Sequence, residues 1–151
     1  VLRADDDATV LVVAVAKLAA LGLDVADRLA QQGIAVTVVD PRWVIPVPEA
    51  VVDLARDHRL VVTVEDNSRT GGIGSAVASA LRDADVDVPL RDFGVEKRFL
   101  HHASIASTLA ALGLTAQDVS RAVVETVARL DHVVETEPSH EDATEDADPT
   151  A

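Results

Sequence analysis

Two neighbouring carboxylates, Glu65 and Asp66, close an apolar run and are followed by a turn rich in glycine; Val61 to Val77 reads VVTVEDNSRTGGIGSAV. Paired acids at a strand end suit general acid–base work when their environments push their pKa values apart. The alternative is that one acid bonds the N–H groups of the turn while the other stays solvated. Gly71, Gly72 and Gly74 with Ser75 suit an anion-binding nest at a helix N-terminus. Equally, the glycines suit positive φ and close packing against a neighbouring domain. The turn lacks the lysine of a nucleoside-phosphate loop, and its glycines miss the G-x-G-x-x-G spacing of a dinucleotide site.

Three other groups carry chemistry of their own. Arg42 and Trp43 lie in the proline-bounded stretch Pro41–Pro48, where the indole suits either an interface anchor or a cap on the core. His101 and His102 are adjacent, so they lack the i, i+4 spacing of a helical metal pair. With His58, His132 and His140 scattered and no cysteine in the chain, no metal site is expected. His102 is expected to bond a backbone carbonyl or a neighbouring domain. Arg91, Lys97 and Arg98 are spread charges of the kind that water usually solvates.

The elements that must position these residues follow from periodicity. Val10–Val15 is a continuous apolar run and reads as a buried parallel strand. Leu18–Gln32 has helical spacing, with Leu18, Leu21, Val25 and Leu29 on one stripe and Gly33 as the stop. Strands are expected over Ile34–Val39, Leu60–Val64 and Val88–Phe93. Helices are expected over Glu49–His58, Gly74–Ala84, Ala103–Leu112 and from Thr115 to about Leu130. Thr115 with Asp118 makes a weak capping box. Prolines 41, 46 and 48 keep the segment between them extended. Buried strands alternating with helices predict an α/β protein, a three-layer α/β/α sandwich on a mostly parallel sheet of four to five strands. Residues 1–9 are expected to be the stub of an edge strand and a turn, residues 10–131 the domain proper, and residues 132–151 an acidic disordered tail.

Composition sets outer limits. The 151 residues are enough for one domain with a real core. The net charge is −13, and residues 131–151 hold eight acids and no Lys or Arg. No basic stripe exists for a phosphate backbone, which argues against nucleic acid. No apolar run approaches the roughly 20 residues that cross a bilayer, and no secretory leader pattern is present. A cytoplasmic protein is expected. The chain has no methionine and opens on Val1, in keeping with a piece of a longer polypeptide.

Three segments, in order, resemble one family. Asp40-Pro41-Arg42-Trp43-Val44-Ile45-Pro46 is similar to a "D-x-R-[WF]-[VI]-x-P" segment. Glu65-Asp66-Asn67 with Gly71-Gly72-Ile73-Gly74-Ser75-Ala76 is similar to "E-[ED]-[NG]…G-G-x-G-S-A". Gly94-Val95-Glu96-Lys97-Arg98-Phe99-Leu100-His101-His102-Ala103-Ser104 is similar to "G-[IV]-x-x-x-F-[IL]-x-H-[GA]-S". Over about residues 8–130 the chain thus resembles the C-terminal, transketolase-like domain of the 1-deoxy-D-xylulose-5-phosphate synthases, of the actinobacterial type. Lys17 departs from the pattern, standing where a glycine or small residue is common.

The resemblance implies a parent transferase that condenses pyruvate with glyceraldehyde 3-phosphate and releases CO2, feeding isoprenoid and thiamine synthesis. Its thiamine diphosphate and Mg2+ sit on other domains, so this segment is expected to hold no catalytic, cofactor-binding or metal residue. The implied partners are the catalytic domains of the same or another chain, in a homodimer. The candidate interface or anion loop comprises Arg42, Trp43, Glu65, Asp66, Gly71, Gly72, Gly74, Ser75 and His102. The residues alone leave open a stand-alone module for small anions, or a separately encoded subunit of a split transketolase or 2-oxo acid dehydrogenase.

Overall fold

The computed structural model describes residues 1–97 and 103–136. Five strands form one sheet: β1 (Arg3–Ala4), β2 (Val10–Ala14), β3 (Val36–Val39), β4 (Leu60–Ser68) and β5 (Leu90–Val95), in spatial order β1-β3-β2-β4-β5. β1 runs antiparallel to β3, and every other pairing is parallel. Parallel neighbours need crossovers, and the chain supplies α1 (Ala19–Ala30), α2 (Glu49–Arg56) and α3 (Ile73–Asp83); α4 (Ile105–Ala111) and α5 (Ala116–Thr136) follow β5.

The strand pattern divides the core in two. Side chains alternate across a strand, so Val10, Val12 and Ala14 of β2 join Val25 and Leu29 of α1 and Val119 and Val123 of α5. Leu11 and Val13 join Val51, Val52 and Ala55 of α2 and Val77 and Leu81 of α3 on the other face. Both faces of β2 are covered and all five of its residues are buried. The expected three-layer α/β/α sandwich is thus present, on a mostly parallel sheet. Gly22 lets α1 lie close on β2, since a Cβ there would come within 2.5 Å of the Ala14 Cβ.

Several boundaries differ from expectation. β4 continues four residues beyond Val64, because Ser68 pairs with Val95 after a register shift in the ladder. α1 begins at Ala19, after a 3₁₀ turn at Ala16–Leu18. α5 carries on to Thr136, into the segment expected as a tail from residue 132; no glycine or proline stands there to stop it. The expectations for Phe99, His101, His102 and residues 137–151 lie outside the described residues.

Candidate functional site

The strand order reverses at β2, whose neighbours are β3 and β4. The loop leaving β2 leads to α1 on one face, and the loop leaving β4 leads to α3 on the other. Such a divergence opens a crevice outside the carboxyl ends of the strands, where α/β sheets hold ligands or partners. Most of the candidate residues lie along this edge.

Glu65 is 2 % exposed and turned under the first turn of α3. The N–H of Ile73 donates to its Oε2 at 3.0 Å, and the N–H of Gly74 to its Oε1 at 3.2 Å. A helix N-terminus offers unpaired N–H groups and a partial positive charge, and here the protein's own carboxylate takes them. Gly72 is required by this arrangement, because a Cβ there would land on the Glu65 carboxylate. Gly71 has φ +77° and open space around it, so it supplies conformation, not clearance. Its N–H donates to Ser75 Oγ at 3.1 Å, and Ser75 Oγ donates to the Arg69 carbonyl at 3.4 Å. Gly74 packs on β4 and β5, where a Cβ would meet Asp92 Cβ at 2.6 Å and Thr63 Oγ1 at 2.8 Å.

Asp66 is the next residue on the strand and turns away from Glu65. It pairs with Lys17 across the crevice. The two acids therefore do not form an acid–base pair: one is enclosed under α3 and the other bridges to the loop after β2. The sequence offered no sign of the Lys17 partner, since the two residues meet only through the sheet order.

Two further contacts brace this edge, and neither is visible in the sequence. Asp40 Oδ1 accepts from the Ala16 N–H at 3.1 Å, beside an Ala16 backbone at φ +52°. Arg69 grips Asp92 through two bonds of 2.8 and 2.9 Å. The guanidinium holds the Asp92 carboxyl below its ordinary pKa, and the carboxylate raises Arg69 above its own. The loop after β3 is rooted by a buried Pro41 and by Val44 and Val47, which pack on the α2–α3 side of the core. Between these roots Arg42 is exposed, Trp43 is 76 % exposed and Ile45 is 68 % exposed. Trp43 thus does not cap the core. No cluster of three or more His, Asp or Glu side chains suited to a metal occurs among the described residues. No helix among them is long and apolar enough to cross a membrane.

This doubly wound sheet with its braced carboxyl edge is that of a transketolase C-terminal domain: the family described as "Transketolase, C-terminal domain" matches residues 1–119, and the chain belongs to it. Among the relatives it is similar to are actinobacterial 1-deoxy-D-xylulose-5-phosphate synthases. The chain is 65 % identical over 133 residues to 1-deoxy-D-xylulose-5-phosphate synthase 2 of Streptomyces coelicolor, covering 87 % of this chain and 21 % of that protein. It is 56 % identical over 130 residues to the Frankia casuarinae synthase, covering 86 % and 20 %. The chain therefore spans about a fifth of the length of these relatives. Among solved structures, a split-gene transketolase, described as an inactive beta4 tetramer, superposes with a TM-score of 0.71 at 36 % identity, over 78 % of this chain and 38 % of that one. A Pichia stipitis transketolase shares the fold at 20 % identity and a TM-score of 0.57, over 82 % of this chain and 17 % of that one.

Proposed function

We propose that this chain serves as the C-terminal domain of a thiamine diphosphate-dependent 1-deoxy-D-xylulose-5-phosphate synthase, stiffening the subunit and packing against its catalytic domains. The carrying observation is the 65 % identity across 87 % of the chain to one fifth of such a synthase. In this reading thiamine diphosphate and Mg2+ are held by the other domains, the parent enzyme is a cytoplasmic homodimer, and this domain contributes no group to the reacting atoms. The filled α3 N-terminus supports that division, because Glu65 already takes the N–H groups of Ile73 and Gly74 on which a phosphate would seat. The carboxyl edge supplies the packing face, with the loops of Arg42–Trp43 and Gly71–Ser75 as its candidate contacts.

The test is complementation in trans. The Streptomyces coelicolor synthase lacking its C-terminal fifth is mixed with this chain, and condensation of pyruvate with glyceraldehyde 3-phosphate is followed. Restored turnover is expected, while the chain alone neither turns over nor binds thiamine diphosphate. Micromolar cofactor binding by the isolated chain in calorimetry would overturn the proposal. The likeness to a split-gene transketolase favours a second reading, a domain that works within a separately encoded subunit. Co-purification with a separate thiamine-binding chain distinguishes it.

A further inference from the structure

The loop after β3 has a composition at odds with its surface position. A side chain as large as Trp is seldom left three-quarters in water, yet Trp43 is 76 % exposed and Ile45, two residues on, is 68 % exposed. Neither is loosely held, because Pro41, Val44 and Val47 anchor the same loop in the core. The charges nearby sharpen the point. On the loops leaving β2, β3 and β4, Lys17 is committed to Asp66, Asp40 to the Ala16 N–H and Arg69 to Asp92. Arg42, beside Trp43, has no ion-pair or hydrogen-bond partner among the described residues. On the loops leaving β2, β3 and β4 it is thus the cation left without an acid, on a chain of net charge −13. Trp and Arg are also the residues most enriched among those that dominate interface energies.

We infer that Arg42, Trp43 and Ile45 form the anchor by which this domain docks on the remaining four-fifths of the synthase, and that the receiving surface is an apolar pocket for the indole with a carboxylate at its rim for Arg42. Two facts point to this occupant. The relatives carry about four-fifths of their length outside the part matched here, and the free guanidinium asks for an acid that this edge does not provide. The inference rests on the domain function proposed above and adds to it the docking residues and their chemistry.

Trp43 is the only tryptophan of the chain, so a fluorotryptophan label gives a single ¹⁹F resonance. The full chain so labelled is titrated with the unlabelled Streptomyces coelicolor synthase lacking its C-terminal fifth. A shifted Trp43 signal protected from solvent is expected on binding. In calorimetry with the same truncated synthase, Trp43→Ala should weaken binding by about 30-fold or more, as for a dominant interface residue. Arg42→Glu should weaken it by about tenfold or more, while Arg42→Lys keeps part of the affinity. Thermal melts of these variants should match the parent chain, since the side chains replaced are exposed. If the parent chain binds and the variants bind equally well, the inference fails and the domain function stands. If the parent chain does not bind, both fail. If the chain alone associates with itself and buries Trp43, a second copy is the occupant and the inference is overturned.

Discussion

Glu65 and Gly72 act as one unit, and their coupling is measurable. Glu65→Ala leaves two N–H groups without acceptors under a buried helix end, at about 1–3 kcal/mol each, so a loss of about 2–6 kcal/mol is expected in urea unfolding. Gly72→Ala should also destabilise by about 1–3 kcal/mol, through the overlap of its Cβ with the carboxylate. Gly72 has φ −83° and ψ −162°, which alanine adopts freely, so that loss is purely steric. In a Glu65→Ala background the clashing atoms are gone and Gly72→Ala should cost under about 1 kcal/mol, a strongly non-additive cycle. Additive losses would mean that the carboxylate does not sit under Gly72. The sequence went part of the way to this site. The run of acids and glycines marked it, and a cap on the turn was one of two readings of Glu65. What decided between them was the alternation of the strand, which sends Glu65 under α3 and Asp66 to Lys17. Partners such as Lys17–Asp66 and Arg69–Asp92 are brought together by strand order alone, and no local pattern announces them.

Among the elements, the contact of α1 with β2 sets two effects against each other. Gly22→Ala gains helix propensity of about 1 kcal/mol, but its Cβ would stand 2.5 Å from that of Ala14. Overpacking in a close-packed core costs about 1–3 kcal/mol, so net destabilisation is expected, read as a lower denaturation midpoint with an unchanged m-value. A gain in stability would show that α1 can shift away from the sheet. The cores of β2–β5 and of the helices were legible in the sequence: the unbroken run of β2, the Leu18–Val25–Leu29 stripe of α1 and the Gly33 stop at φ +76°. The ends were less so. Glu65–Ser68 are polar and read as loop, yet they extend β4 because β5 offers a ladder partner at Val95. Residues 132–136 read as tail, yet they continue α5, and no glycine or proline interrupts them.

For the whole molecule, acid should be the weak condition. Asp92 is depressed chiefly by its hydrogen bonds to Arg69, and Asp5 chiefly by its bonds to Arg3, aided by the Val36 N–H. A carboxyl whose folded pKa lies below its unfolded value contributes stability above the ordinary carboxylate range, about pH 4. That contribution is lost as pH falls through the depressed value. Stability is therefore expected to be level near neutrality and to decline below about pH 4, and Asp92→Asn should flatten part of that decline in denaturation curves taken from pH 6 to 2. An unaltered acid limb in this variant would show that the Arg69 pair adds nothing. Residues 137–151 contain six acids and no Lys or Arg. From that composition, removing them should shift the unfolding free energy by no more than about 0.5 kcal/mol.

The bonds that join Asp40 to Ala16 and Lys17 to Asp66 have a consequence for association. The loops after β2 and β3 are fastened to one another and to β4 before any partner arrives. Ordering a free loop on binding forfeits conformational freedom, about 1–2 kcal/mol for each backbone residue fixed, and that loss is subtracted from affinity. Here the freedom was surrendered when the domain folded, so an encounter at Trp43 meets a surface already in its final shape.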